Sequence, residues 1–327
     1  MSSDPAPAAA APAAGLPGLP PGEEATIVLR RVAKWYGDVV AISELSFGVA
    51  PGVTALLGPN GAGKSTVLNM IAGLIAPSAG TVDVLGQRVR GQPGLYRSIG
   101  LAGEQEQLYG SLTGREFVRL NAILQKVPDA EGASERAIAA VDMGEAAGRA
   151  VGGYSKGMRQ RIKVAAALVH EPKILLLDEP LNGTDPVQRA SLIALIRRLG
   201  AEGKTVLVSS HVLSEVERFA RNVLVIVNGK LAAAGDFRAI RERMDERDHI
   251  VRIRCSDSRR LAAALVADPS TRSIRMGTDG RLTAETDDVR GFSLLVTAVA
   301  KRDGVRLFEV QPVDESLASV FSYLVSG

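Results

Sequence analysis

Nine residues, Gly58-Pro59-Asn60-Gly61-Ala62-Gly63-Lys64-Ser65-Thr66, follow the apolar run Val53-Thr54-Ala55-Leu56-Leu57. They fit G-x-x-x-x-G-K-[ST], set between a strand pattern and a helix predicted from Ser65 to Ile75. Glycines let successive backbone N–H groups turn towards an anion without Cβ clashes, and the helix start adds partial positive charge. Lys64 can reach the β- and γ-phosphates of a bound nucleotide, and the Ser65 hydroxyl can ligate Mg²⁺. A second run, Ile174-Leu175-Leu176-Leu177-Asp178-Glu179-Pro180, is apolar and stops at two acids. A buried strand ending in this way presents both carboxylates at the sheet edge where the phosphate loop also lies. There Asp178 would hold Mg²⁺ and Glu179 would polarise an attacking water as general base.

Between these runs, Tyr154-Ser155-Lys156-Gly157-Met158-Arg159-Gln160-Arg161 opens a helix predicted to reach His170. Ser155 is a natural N-cap, and the helix start is another end suited to anions. The order phosphate loop, Ser-x-Gly helix start, acid-terminated strand, on a helical stretch, resembles the nucleotide-binding subunit of ATP-binding cassette (ABC) transporters. The resemblance spans about residues 25–235. Gly58–Thr66 looks like the Walker A loop, Leu175–Glu179 like Walker B and Leu181-Asn182-Gly183-Thr184-Asp185 like the D-loop. His211 stands at the place of the family's switch histidine, and Tyr36 at that of the aromatic that stacks on adenine; Trp35 beside it competes for that role. His170 and His249 match no motif.

Two departures alter the pattern. The family signature Leu-Ser-Gly-Gly-Gln is replaced by Tyr-Ser-Lys-Gly-Met, which keeps Ser155 and Gly157 and resembles the ABC-2-type exporter branch. At the Q-loop, Glu104 occupies the place of a glutamine that ligates Mg²⁺, with Gln105 next to it, so either residue could serve. The ending Pro312-Val313-Asp314-Glu315-Ser316-Leu317-Ala318-Ser319-Val320-Phe321 also resembles the tail of ABC-2-type drug- and antibiotic-export ATPases. What the resemblance implies is an ATPase that uses ATP and Mg²⁺ and closes head to tail on a second ATP-binding subunit, as a homodimer. Lys64, Ser65, Asp178, Glu179 and His211 of one copy would face Ser155 and Gly157 of the other with ATP between them, and Asp185 of the D-loop is expected among the nucleotide-binding residues. Separate integral membrane permease subunits would dock near the Q-loop and residues 105–125. The expected function is export of an unidentified substrate, from a peripheral position on the cytoplasmic face of the membrane. A soluble ABC-type ATPase with a regulatory or self-resistance role is the alternative.

Composition bounds the elements that must position these residues. The 327-residue chain is 46% hydrophobic but only 4% aromatic, so Leu, Val, Ile and Ala must build the core. A net charge of +3, with Arg interspersed among acids, gives no basic stripe of the kind that tracks nucleic acid. One cysteine, Cys255, excludes an intrachain disulfide, and no apolar run reaches the length of a membrane span. The long coiled coils or zinc modules of DNA-repair relatives are missing, as is the second cassette of translation-factor members.

Residues 1–22 read as a disordered Ala/Pro-rich tail rather than a signal peptide, because prolines break every apolar run and the first basic residue is Arg30. Residues 23–235 read as an α/β P-loop ATPase core. Its strands are expected at Thr26–Arg31 and Leu45–Val49 around Tyr36-Gly37-Asp38, then at Val53–Leu57, Thr81–Leu85, Ile99–Ala102, Lys173–Leu177, Thr205–Ser209 and Val223–Val227. A helical subdomain at about 105–165 interrupts them with helices at Arg115–Lys126, Ser134–Val141 and from Lys156. Further helices are expected at 187–199 and 213–220. A charged linking helix at 236–248 leads to a small α+β domain, 249–327. Its order βαββαβ suggests a ferredoxin-like fold, followed by a last helix at 314–325.

Overall fold

The structure is a computed structural model that describes residues 16–20, 22–104, 108–237, 249–277 and 279–312. Gln105, nearly all of the expected charged linker and the helix expected at 314–325 lie outside the described residues. Contacts divide the chain into two units, Met1–Phe237 and Arg238–Gly327.

In the first unit, short strands rich in Val, Ile, Leu and Ala form a six-stranded sheet. These are β3 (Gly52–Leu57), β6 (Ile99–Ala102), β7 (Ile174–Leu177), β8 (Thr205–Ser210), β9 (Asn222–Val227) and β10 (Lys230–Asp236), in the order β10-β9-β3-β8-β7-β6. All neighbours are parallel except the antiparallel β9–β10 pair. Continuous apolar runs are what a sheet covered on both faces requires. The order matters to the site: β8 lies between the strand that feeds the phosphate loop and the strand that ends in Asp178 and Glu179. Everything at the C-terminal end of β8 therefore falls between the two motifs.

A second, antiparallel sheet of β1 (Ile27–Tyr36), β2 (Val39–Val49), β4 (Ala79–Val84) and β5 (Gln87–Arg88) has the order β2-β1-β4-β5. Its Leu29, Ile42, Leu45 and Phe47 are fully buried and share one core with Val67, Met70 and Ile71 of helix α1 (Lys64–Ile71) and with Leu56 of β3. The first two strands are longer than expected and meet as a hairpin whose turn is only Gly37-Asp38, with Gly37 at φ 58°. Tyr36 thus ends a strand rather than sitting in a broad loop. Helix α1 stops four residues short of the expected Ile75. Gly73, at φ 75°, donates to the Met70 carbonyl while Leu74 donates to that of Asn69, a Schellman ending. Strand β10 was not expected, because its sequence, Lys-Leu-Ala-Ala-Ala-Gly-Asp, has little β propensity; pairing with β9 overrides that weakness. Residues 16–20, assigned to the disordered tail, are instead held: Gly48 N–H donates to the Pro17 carbonyl at 3.0 Å.

After the short helix α2 (Pro93–Tyr96), three longer helices carry the signature region: α3 (Gly114–Leu124), α4 (Ala130–Ala140) and α5 (Lys156–Leu168). Each starts at a side-chain cap. Thr113 and Glu116 form a reciprocal capping box, Asp129 accepts from Gly132 N–H, and Ser155 accepts from Met158 N–H. Buried Arg161 on α5 donates to the Asp142 carbonyl at 2.8 Å and so ties α5 to the end of α4. Helix α6 (Pro186–Ala201) starts at Asp185, and α7 (Leu213–Val216) covers only half of the helix expected at 213–220.

The second unit contains β11 (His249–Cys255), α8 (Ser258–Leu265), β12 (Ser273–Met276), β13 (Leu282–Thr286), α9 (Val289–Arg302) and β14 (Leu307–Pro312). Its antiparallel sheet has the order β12-β13-β11-β14, the split βαβ arrangement of a ferredoxin-like fold. Val251, Ile253, Leu261, Leu282, Phe292 and Val296 form a core of its own, against which Cys255 packs.

Candidate active site

The phosphate loop is shaped by close approach. A Cβ at Gly63 would lie 2.4 Å from Ile42 Cδ1, and one at Gly58 would lie 2.2 Å from the Ile226 carbonyl oxygen. Gly63 also has φ 101°, which an L side chain disfavours. Gly58 and Ala62 are buried, Pro59, Ser65 and Thr66 half-buried, and Asn60 and Gly61 exposed. Helix α1 has no side-chain cap, and its first backbone acceptor, the Gly63 carbonyl, receives from Val67. The N–H groups of Lys64, Ser65 and Thr66 thus have no partner within the helix and point out of its start.

Lys64, 6% exposed, folds over this loop: Nζ donates to the Gly58 carbonyl at 2.8 Å and the Pro59 carbonyl at 3.2 Å, and lies 3.3 Å from Glu179 Oε1. Glu179 Oε2 lies 2.9 Å from His211 Nδ1. Three residues drawn from separate motifs, at positions 64, 179 and 211, are thereby joined in one cluster at the C-terminal edge of the sheet. Asp178, 4% exposed, stands beside them. Glu179 adopts φ 48°, a left-handed conformation that costs a non-glycine residue about 1 kcal/mol.

Nucleotide and Mg²⁺ fit this donor set. Glu179 Oε1 is buried, and its approach to Lys64 is an ion pair without hydrogen-bond geometry, so this oxygen lacks a hydrogen-bond donor. It lies 3.3 Å from the Nζ of Lys64, the first residue of a helix whose opening N–H groups have no partner within the helix, a donor set that suits a phosphoryl group. Ser65 and Asp178 supply hard oxygens. Among the described residues no cluster of three or more His, Cys, Asp or Glu is placed to hold a metal ion.

Tyr36 and Trp35 are both about half exposed, at 51% and 46%, at the hairpin tip. Lys34 Nζ lies 4.8 Å from the centre of the Tyr36 ring, and Lys34 pairs across the strands with Ile42, the residue that touches Gly63. The pairing shifts register between Lys34 and Trp35, with Trp35 opposite Val40 and Tyr36 opposite Val39.

Other expected residues are not drawn into this cluster. Among the described residues, no hydrogen bond or ion pair joins Ser155, Gly157 or Asp185 to residues 58–66. Ser155 caps α5, and Asp185 Oδ1 caps α6 by accepting from Val187 and Gln188 N–H. Gly157 is packed where a Cβ would lie 2.3 Å from Gln188 Oε1. Lys156, one of the signature departures, lays its stem against Gly183, with Nζ 3.5 Å from Asn182 Oδ1. Glu104 lines a cleft together with Lys156, Gln160, Lys163, Glu179 and Asn182.

Two residues that sequence reading passed over organise the acids. Lys163, 8% exposed, donates to the carbonyls of Gly103 and Glu104 at 2.8 and 3.3 Å, so the signature helix holds the backbone leading to the Q-loop. Ser209 bonds both Asp178 and Glu179. Its only signal in the sequence was a hydroxyl two residues before His211. His170, which matches no motif, helps to hold the fold together. Its Nε2 lies 3.1 Å from the Ile99 carbonyl of β6, and burial pushes its pKa down.

The profile of the ABC transporter family matches residues 42–182. The bacitracin transport ATP-binding protein BcrA of Enterococcus faecalis is 31% identical over 310 residues, covering 93% of this chain and 97% of the relative. The daunorubicin/doxorubicin resistance ATP-binding protein DrrA of Streptomyces peucetius is 34% identical over 267 residues, covering 79% and 80%. Among solved structures, the dimeric structure of MJ0796, a bacterial ABC transporter cassette, superposes with a TM-score of 0.61 at 25% identity, covering 64% of this chain and 98% of the cassette.

Proposed function

We propose, from the premise that this chain belongs to the ATP-binding subunits of ABC transporters, that its ATP hydrolysis drives export through separate transmembrane subunits. The observation that carries the chemistry is the cluster of Lys64, Glu179 and His211 beside the open start of α1. Lys64 and the N–H groups of the loop bind the phosphates and neutralise charge that develops in the transition state. Glu179 accepts hydrogen-bonding from the attacking water and polarises it, while His211 holds the carboxylate's other oxygen. Mg²⁺, held by Ser65 and Asp178 with help from Glu104 or Gln105, would add charge neutralisation at the phosphate oxygens. Tyr36 stacks on the base.

Closure into a head-to-tail homodimer fits the exposed signature start. Ser155 caps its own helix and is exposed, so its hydroxyl and the start of α5 are available to a second copy's nucleotide. Asp185, whose carboxylate is engaged in its own chain, contributes by holding the D-loop at that boundary. No helix among the described residues is long and apolar enough to cross a membrane, so the work of closure needs another subunit to move. The names of the relatives refer to bacitracin transport and to daunorubicin/doxorubicin resistance, and this favours export, with the cargo selected by the membrane subunits. The cytoplasmic membrane face is where such a subunit would dock.

Purification of the tagged chain from detergent-solubilised membranes of its source tests this reading. Recovery of a stoichiometric polytopic membrane protein that stimulates the ATPase is the expected result. A chain that hydrolyses ATP alone, with no membrane protein that binds or stimulates it, would favour the regulatory alternative instead.

A further inference from the structure

We propose that Ser209 is a positioning residue that sets the geometry of both acids through one hydroxyl group. The inference rests on the reading of Asp178 as a Mg²⁺ ligand and Glu179 as the general base.

Strands β7 and β8 run parallel with Leu177 opposite Val208, so the next pair in register would be Asp178 and Ser209. The ladder ends there because the chain turns away from the sheet, with Glu179 at φ 48°. That turn removes the Glu179 N–H from any strand partner while leaving it inside the protein. Ser209 replaces the missing carbonyl: its Oγ accepts from Glu179 N–H at 2.8 Å. The same Oγ donates its proton to Asp178 Oδ1 at 2.5 Å. Ser209 is 0% exposed, so bulk water has no access to replace either bond.

Only a hydroxyl does both at once, since it carries one proton to give and lone pairs to receive. The first bond fixes the backbone conformation from which the Glu179 carboxylate reaches Lys64 and His211. The second fixes the rotamer of Asp178 and leaves its other oxygen for the metal. Without the hydroxyl, Glu179 is released to relax towards the ordinary right-handed or extended conformations, and its carboxylate moves off the line between Lys64 and His211.

The test uses Ser209→Ala and Ser209→Thr in the full chain, with Glu179→Gln in parallel. Steady-state hydrolysis by Ser209→Ala should fall in kcat by roughly 10- to 100-fold, the usual effect of losing a group that orients a ligand, with the KM for ATP within about threefold. Binding gives a second readout. In a Glu179→Gln background, the Mg²⁺ concentration that half-saturates binding of a fluorescent ATP analogue should rise several-fold when Ser209→Ala is added. Ser209→Thr, which keeps the hydroxyl, should restore both quantities most of the way. The proposal is overturned if Ser209→Ala leaves kcat and the Mg²⁺ midpoint within twofold of the parent. It is equally overturned if the Ala and Thr variants lose activity alike with matching drops in Tm, which would be a packing effect. A Glu179→Gln variant that hydrolyses ATP at the parental rate would sink the underlying reading and this inference with it. An inactive Glu179→Gln beside an unaffected Ser209→Ala would sink this inference alone.

Discussion

Glu179 meets two opposed demands: it must be buried beside a cation, yet keep an oxygen free for a water. The contact of Oε2 with His211 and the ion pair of Oε1 with Lys64 meet the first, and Oε1, which has the charge of Lys64 nearby but no hydrogen-bond donor, meets the second. Replacing the carboxylate by an amide keeps the size and removes the basicity. Glu179→Gln should therefore reduce hydrolysis by about 100-fold or more while ATP still binds, and an ATP-bound dimer should accumulate in light scattering. Hydrolysis at the parental rate would contradict the assignment. The two aromatics at the hairpin tip offer a separate comparison. Tyr36→Ala should raise the KM for ATP several-fold with kcat little changed, because stacking is worth roughly 1–3 kcal/mol per base. Trp35→Ala should not; the reverse ranking would mean that the other side of the hairpin meets the base.

Helix ends and strand ends carry most of the site, so small changes in them should have measurable effects. The capping box of Thr113 and Glu116 starts α3, and hydrogen bonding from Thr113 holds the Glu116 carboxyl below its usual pKa. Thr113→Ala should cost about 1 kcal/mol, a fall in Tm of roughly 2–4 °C for a unit of this size, measurable by calorimetry. His170 stands between the end of α5 and β6, and its lowered pKa makes it neutral in the folded protein at pH values where the unfolded chain would be protonated. The unfolded state then binds more protons, so stability is intact above the ordinary value of 6.5 and declines as pH falls from there through the folded pKa. The Tm difference between about pH 7.5 and 5.5 should accordingly be smaller in His170→Gln than in the parent. An unchanged difference would show that other groups set the acid limit.

At the scale of the whole molecule, two units with separate hydrophobic cores should melt as two transitions. On the proposed reading nucleotide with Mg²⁺ binds at the phosphate loop of the first unit, so it should raise one transition and leave the other where it was. At a ligand concentration of 100 times Kd the stabilisation is about 2.7 kcal/mol. A single transition moved as one by nucleotide would mean that the units are thermodynamically coupled. Calorimetry with and without ATP distinguishes the two outcomes, best in a Glu179→Gln background where the nucleotide is not consumed.

Much of this was legible in the sequence because it is local. Gly58–Thr66 contains both its own turn and the helix start behind it, and Ile174–Glu179 reads as a buried strand that ends in acids, so the chemistry of each follows from a few adjacent residues. The βαββαβ order of the second unit follows in the same way from alternating patterns, and the strand order of its sheet agrees with it. Tertiary structure alone decided what depends on neighbours in space. Only the order β3-β8-β7 brings Lys64, Glu179 and His211 together. Strand β10 exists because β9 offers it an edge, despite its own weak preference. Ser209 was invisible as a functional residue because a serine at a strand end has no chemical signature. Its role arises from the parallel register that sets it opposite Asp178 and from the turn that leaves the Glu179 N–H needing an acceptor. A motif records which groups the chain supplies, whereas pairing and burial determine which of them meet.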